Sequence, residues 1–321
     1  MTQIDTMSFR LLYLLTDLIA PLIVGYFLHK KHLVTDEGMN RLIKFNVVCV
    51  YTVLALLSFW ALPISWHLLA VPAFGFLLVL FPGGVGALFF TKHMRNDLDR
   101  GAFLSSAMLS NIGTLGGVCA FILYDEKGFA YSQILGACQN FLLVLIIFPM
   151  AQYFYSRHKG IQRQTSRLRT FIDTFFTWNQ LSLIGMAIGL ALSNFHIVRP
   201  PALAPVFQAL VHIAAWIAML PVGFMLNLRK VRAYAHLTMG LTILRFIITP
   251  AFIGLLAYYL LDEPVIVGTL LIIAFCPTAI NAVLTARLYH LTDGIPVSSF
   301  VITTATYLLF IFPLLFLFLR A

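Results

Sequence analysis

Ten runs of about 20 predominantly apolar residues, the length a bilayer core demands of a helix, follow one another along this chain. They are roughly Leu11–Leu28, Lys44–Leu62, Leu68–Phe90, Ala102–Tyr124, Phe129–Tyr155, Leu181–Phe195, Leu203–Leu226, Ala233–Leu261, Val265–Leu288 and Ile295–Leu319. With 60% apolar and 10% charged residues, and a mean hydropathy of +0.92, the chain has too few polar side chains to clothe a water-soluble domain. In hydrocarbon the backbone must satisfy its own hydrogen bonds. The expected fold is therefore an all-α polytopic membrane protein of ten spans. Span 1 has no small-residue cleavage pattern and reads as a retained helix rather than a signal peptide.

Charge placement orients the spans. Of the 21 lysines and arginines, 16 fall in the loops after spans 1, 3, 5, 7 and 9 or beside them. The opposite side holds Arg10, Lys127, Arg199 and Arg320, and Arg245 alone lies deep inside a span. The positive-inside rule then puts the odd-numbered loops in the cytoplasm and both termini outside, in a plasma or bacterial inner membrane. The formal charge of +9 is thereby a matter of topology, and no nucleic-acid partner is expected.

A basic loop, residues 157–180, separates residues 1–156 from residues 181–321, with five spans in each part. An odd number of spans per half means that two like halves would sit inverted. Ile147-Phe148-Pro149 matches Ile311-Phe312-Pro313 at an offset of 164, and Gly25 matches Gly189 at the same offset. Tyr124 and Gly128 match Tyr289 and Gly294 at offsets of 165 and 166.

Spans 4 and 9 are each interrupted in mid-membrane. Span 4 carries Asn111-Ile112-Gly113-Thr114-Leu115-Gly116-Gly117, and span 9 carries Cys276-Pro277-Thr278-Ala279-Ile280-Asn281. Proline removes a helix donor and glycine weakens a helix interior, so both runs are expected to unwind. The second half of each span would then start near the midplane, with free N–H groups and a positive dipole end that attract an anion. Asn111, Thr114, Thr278 and Asn281 lie at or beside the breaks. Asn140 in span 5 and Thr303 and Thr304 in span 10 occupy matching places at the offset of 164 and could close the site. The plainer alternative is a pair of simple kinks.

Arg245 lies about 12 Å into span 8 by the helical rise, where a charge is costly and faces protein or water. It either binds a carboxylate substrate or pairs with Asp17, at comparable depth in span 1. Asp17 is then a proton carrier or a counter-ion. His212, in the middle of span 7, is a proton carrier or a hydrogen-bonded packing residue.

The four cysteines, Cys49, Cys119, Cys138 and Cys276, all fall within spans with no C-x-x-C pair, and are expected to be reduced packing residues. The chain lacks G-x-S-x-G, H-E-x-x-H and Walker motifs, so neither an enzyme nor a nucleotide-driven pump is expected, and no cofactor or metal is invoked.

The N-x-G-x-x-G break (Asn111, Gly113, Gly116) followed by Gly128, Ala130 and Tyr131, and the Cys276–Asn281 run followed by Ala286 and Tyr289, resemble the auxin efflux carrier family of plant PIN proteins and bacterial permeases. Val118 and Ala282 stand where that family often has prolines, and the long hydrophilic loop of the plant members is absent. The resemblance implies crossed, broken helices 4 and 9, an elevator-like motion of a transport domain against a scaffold, small organic anions as substrates and a possible homodimer. The bile acid sodium symporters share that architecture. The expectation is a secondary transporter of small carboxylates such as malonate or malate, held by Asn111, Gly113, Thr114, Gly116, Asn140, Pro277, Thr278, Asn281, Thr303 and Arg245. Proton symport, sodium symport and uniport all fit the residues. A sodium-coupled carrier and a ligand-binding membrane sensor that does not transport are the alternatives.

Overall fold

In a computed structural model of the protein, residues 14–62, 68, 70–92, 94–160, 181–224 and 228–319 are described. Most of the basic 157–180 loop, the start of span 1 and Arg320 lie outside the described residues. The chain is all-α: α1 (Ala20–Lys30), preceded by a π-turn at Leu14–Ile19, α2 (Asp36–Ala61), α3 (Ala70–Phe90), α4 (Asp97–Met108) and α5 (Ile112–Lys159). Then come α6 (Leu181–Asn194), α7 (Leu203–Phe224), α8 (Val231–Leu260), α9 (Pro264–Ala274), α10 (Ile280–Leu288) and α11 (Gly294–Phe318).

Six of these, α2, α3, α5, α7, α8 and α11, are long and apolar enough to cross a membrane. Large apolar side chains are mostly exposed on the outer surface, among them Phe89, Tyr258, Tyr259, Leu260, Leu309, Phe310 and Phe318. Water would penalise so much exposed apolar surface, whereas lipid does not. The molecule is therefore membrane-embedded.

Local chemistry accounts for the irregularities. Helix α5 bends at Tyr124 (φ −127°, ψ 16°) and Asp125 (φ 53°, ψ −145°), which divides it into a short first limb and a long second limb. Pro21, Pro149, Pro250 and Pro313 each stand two residues after the end of a π-turn. A proline ring clashes with the carbonyl four residues back, and a widened turn relieves it. Helix α2 begins eight residues earlier than the apolar run, because Thr35 Oγ1 accepts the Gly38 N–H at 3.1 Å and Asp36 and Glu37 favour the positive end of the dipole. Arg41, which the sequence put in the loop before span 2, is consequently helical, and Lys44 lies inside the helix rather than at its start.

The packing is arranged in two groups. Helix α1 lies along α7, and α6 lies along α2. In the other, α3 packs on α5, α8 on α11, and α9 on α5. The largest buried apolar cluster joins the two groups: Phe74, Leu115, Ile122, Leu270, Ile273 and Phe300 meet Leu18, Phe59, Met219 and Val222 in it. A Cβ on Gly25 would lie 2.0 Å from the Leu220 carbonyl oxygen and 3.0 Å from the Phe224 nitrogen; one on Gly189 would lie 2.5 Å from the Leu56 oxygen and 3.0 Å from the Trp60 nitrogen.

Candidate functional site

The helical path stops between Met108 and Ile112 and again between Ala274 and Ile280. The two gaps pair with each other. Asn111 N–H donates to the Pro277 carbonyl at 2.8 Å, Ala279 N–H donates to the Leu109 carbonyl at 2.9 Å, and Ser110 and Thr278 form an antiparallel bridge. Each break thus uses the other for the backbone bonds it loses.

The first break falls earlier than the glycine-rich run from Asn111 to Gly117. Apart from Asn111 itself, that run is helical, with Ile112–Gly116 as a π-turn. Asn111 is the reason: its side-chain oxygen accepts the Leu115 N–H at 3.5 Å and the Thr114 hydroxyl, and its carbonyl accepts the Gly116 N–H at 2.9 Å. It is the N-cap that starts α5. Likewise Ile280 and Asn281, read as part of the second break, form the first turn of α10.

Gln139, on the second limb of α5, clamps the peptide of Ser110. Its Oε1 accepts the Ser110 N–H at 2.8 Å and its Nε2 donates to the Ser110 carbonyl at 2.8 Å. Six residues earlier on the same limb, Gln133 Nε2 donates to the Gly113 carbonyl at 3.1 Å.

Arg245 closes the other side. It is 2% exposed, in the π-turn Leu244–Ile248 of α8. Its guanidinium donates to the carbonyls of Ser106 (2.5 Å), Ala107 (3.2 Å), Leu109 (2.5 Å) and Cys276 (3.4 Å), and to the hydroxyls of Ser110 (2.5 Å) and Thr278 (3.0 Å). These carbonyls belong to the C-terminal ends of α4 and α9, which a helix leaves without intrahelical donors. Of the two readings of Arg245 that the sequence left open, the pairing with Asp17 does not form. Asp17, 5% exposed, is hydrogen-bonded to His212 Nδ1, and His212 packs edge-on against Phe121 at 6.3 Å.

In front of the paired breaks lies a cavity of about 550 Å³. One wall comes from the breaks and from the first turns of α5 and α10: Ser110, Asn111, Gly113, Thr114, Ala279 and Asn281. Gln133, Gln139 and Asn140 flank them from the second limb of α5. The opposite wall comes from α2, with Asn40, Lys44, Asn46 and Tyr51, and from Ser182 and the stretch of α7 that includes Ile217 and Val222. No aspartate or glutamate lines it among the described residues, and Lys44 is its only lysine or arginine. Two buried polar atoms of this wall, Asn46 Oδ1 and Tyr51 Oη, have no hydrogen-bond partner, although Asn46 Nδ2 donates to the Ala214 carbonyl at 3.0 Å.

Of the residues proposed from sequence, Asn111, Gly113, Thr114, Asn140 and Asn281 line the cavity. Gly116, Pro277, Thr278, Thr303 and Arg245 do not. A Cβ on Gly116 would lie 2.6 Å from Ile273 Cδ1, so this glycine admits the close approach of α9. The Thr278 hydroxyl is taken by Arg245 and by Ser299 at 2.7 Å, and Thr278 N–H donates to Thr303 Oγ1 at 3.1 Å. These residues hold the breaks together from behind. Asp17 and His212 also lie away from the cavity wall.

Sequence reasoning missed Lys44, Asn46, Tyr51, Gln133 and Gln139. A signal was present for the two glutamines: with Asn140 they are amides inside an apolar span, and Gln133 and Asn140 are seven residues apart, on one helix face. For Lys44 the signal was Thr35 as an N-cap, which extends α2 backward and puts Asn40 and Lys44 four residues apart. In comparisons with known proteins, no family profile matches this chain and no curated protein sequence does.

Proposed function

We propose that the protein is a secondary transporter of small organic anions, monocarboxylates or dicarboxylates, and that the cavity before the paired breaks is its substrate site. The observation that carries this reading is the cavity's composition among the described residues: two helix starts on one wall, a single lysine on the other, amides and hydroxyls between, and no carboxylate. Helix starts bring donors and positive partial charge. Asn281 and the amides of Gly113 and Thr114 are the donors offered to a carboxylate, and Lys44 is its counter-charge. Ile217, Val222, Leu284 and Phe300 supply an apolar remainder for the body of the substrate.

The transport mechanism follows from where the cavity lies. It sits between the α1/α2/α6/α7 group and the group that contains both breaks, so sliding one group past the other would carry the site across the membrane, as in an elevator. The reading takes α4 with the first limb of α5, and α9 with α10, as broken spans 4 and 9. With the second limb of α5 as span 5, this gives ten spans in two inverted halves. Paired features support the halves. Gly25 meets Leu220 as Gly189 meets Leu56, and residues 25 and 189, like residues 56 and 220, are 164 apart. The π-turns Leu143–Ile147 and Tyr307–Ile311 are also 164 apart. Among the described residues, the non-glycine residues with positive φ form two pairs, His32 with His196 at 164 and Asp125 with His290 at 165. On this reading both termini are external, and the chain is a relative of the auxin efflux carriers, working as a monomer or homodimer. The Asp17–His212 pair, on α1 and α7, is the candidate proton carrier.

The test is thermal stability of the purified protein against a panel of small carboxylates, followed by uptake into proteoliposomes. A ligand that binds only the folded state raises the melting temperature. One acid should stabilise the protein selectively, and Asn281→Ala and Lys44→Met should abolish the effect. Asn111→Ala is a poorer probe because Asn111 also caps α5. If no acid stabilises the protein, the anion reading fails. If an acid binds without flux, the chain is a sensor.

A further inference from the structure

We propose that Arg245 is a tethered cation, and that the carbonyl cage around it is a monovalent-cation site whose occupant is carried on the chain. Six oxygens converge on its guanidinium: four main-chain carbonyls and the hydroxyls of Ser110 and Thr278. Unwound carbonyls and half-helix C-termini meeting in mid-membrane are the ligands with which transporters hold a coupling ion. Here all six oxygens point at a side chain.

The charge balance supports the same reading. Among the described residues no carboxylate lies within ion-pair distance of Arg245, although it is buried. A helix C-terminus carries roughly half a negative charge, and the ends of α4 and α9 both supply carbonyls to the guanidinium. Two such ends offset about one positive charge, as they would for a bound ion. The N-termini of α5 and α10, with the opposite sign, open on the cavity. The paired breaks thus divide the work: C-termini hold a cation permanently, and N-termini remain for a mobile ligand. It follows that this site takes no sodium from solution in the native protein, because Arg245 fills it.

The inference concerns the cage and stands whether or not the cavity transports anything. It is tested by Arg245→Ala and Arg245→Lys, purified in chloride salts of guanidinium, sodium, potassium and N-methylglucamine at equal millimolar ionic strength, with melting temperature as readout. Arg245→Ala should melt well below the native protein in N-methylglucamine, a cation too bulky to enter. Guanidinium, which matches the vacated shape, should restore part of the loss, and sodium a smaller part. Arg245→Lys, which keeps a tethered charge, should be intermediate and indifferent to the cation, as should the native protein. Recovery of Arg245→Ala only when guanidinium is present during purification would also support the proposal. Equal melting of Arg245→Ala in all four salts would overturn it, as would failure to purify in any of them. Arg245→Lys no more stable than Arg245→Ala would overturn it too, since packing rather than charge would then matter.

Discussion

The polar groups behind the paired breaks and those across the cavity from them are finished in opposite ways. Behind the breaks, Arg245, Ser110, Thr278, Ser299 and Thr303 are joined in one hydrogen-bonded cluster. Across the cavity, Asn46 Oδ1 and Tyr51 Oη are buried and without a partner. A satisfied buried network rigidifies the structure, whereas an unpartnered buried polar atom costs stability unless something binds it. The comparison separates polar groups that fasten the two breaks together from polar atoms that the fold leaves without a protein partner.

Loss of Arg245 should produce the largest effect. Arg245→Met leaves several buried carbonyls without donors, each unsatisfied group costing about 1–3 kcal/mol, so the melting temperature in detergent should collapse. A variant that melts like the native protein would mean that the cluster is not the support described here. Gln139→Leu, which removes both bonds to the Ser110 peptide, should cost on the order of 2 kcal/mol and misplace the first break, measured by the same melt.

Next come the crossings of α1 with α7 and of α6 with α2. Gly25→Ala and Gly189→Ala each drive a Cβ into a facing carbonyl, and overpacking of this kind costs about 1–3 kcal/mol. The two should destabilise comparably. A large loss from one and none from the other would break the proposed correspondence between the halves.

The far wall should respond in the reverse sense. Tyr51→Phe removes an unpartnered hydroxyl, so the empty protein should keep its stability to within about 1 kcal/mol or gain slightly. Affinity for the stabilising carboxylate should fall by roughly tenfold if the hydroxyl bonds the ligand, since about 1.4 kcal/mol corresponds to a factor of ten. Isothermal titration separates the two quantities. Unchanged affinity would mean that Tyr51 serves the wall only. The smallest expected effect is that of Asp17→Asn, which should leave binding at fixed pH nearly intact while removing the response of proteoliposome uptake to an imposed pH gradient. A response that persists would exclude the Asp17–His212 pair as the proton carrier.

Much of the architecture was legible because the bilayer imposes it. Apolar runs near 20 residues, Pro277 and Asn111 beside the breaks and the 164-residue spacing are all properties of the linear chain, governed by hydrocarbon thickness and by the backbone chemistry of single residues. Even the π-turns before Phe148-Pro149 and Phe312-Pro313 follow from where proline stands. Tertiary structure alone decided which polar residues work together. Arg245 and Ser106 are 139 residues apart, and Asp17 and His212 are 195 apart. Burial of a charge predicts only that it must have partners, and several partner sets satisfied that condition in the sequence. The pairing of the two breaks chose among them, because it brought the C-termini of α4 and α9 to one point and gave a single guanidinium enough oxygens to replace water.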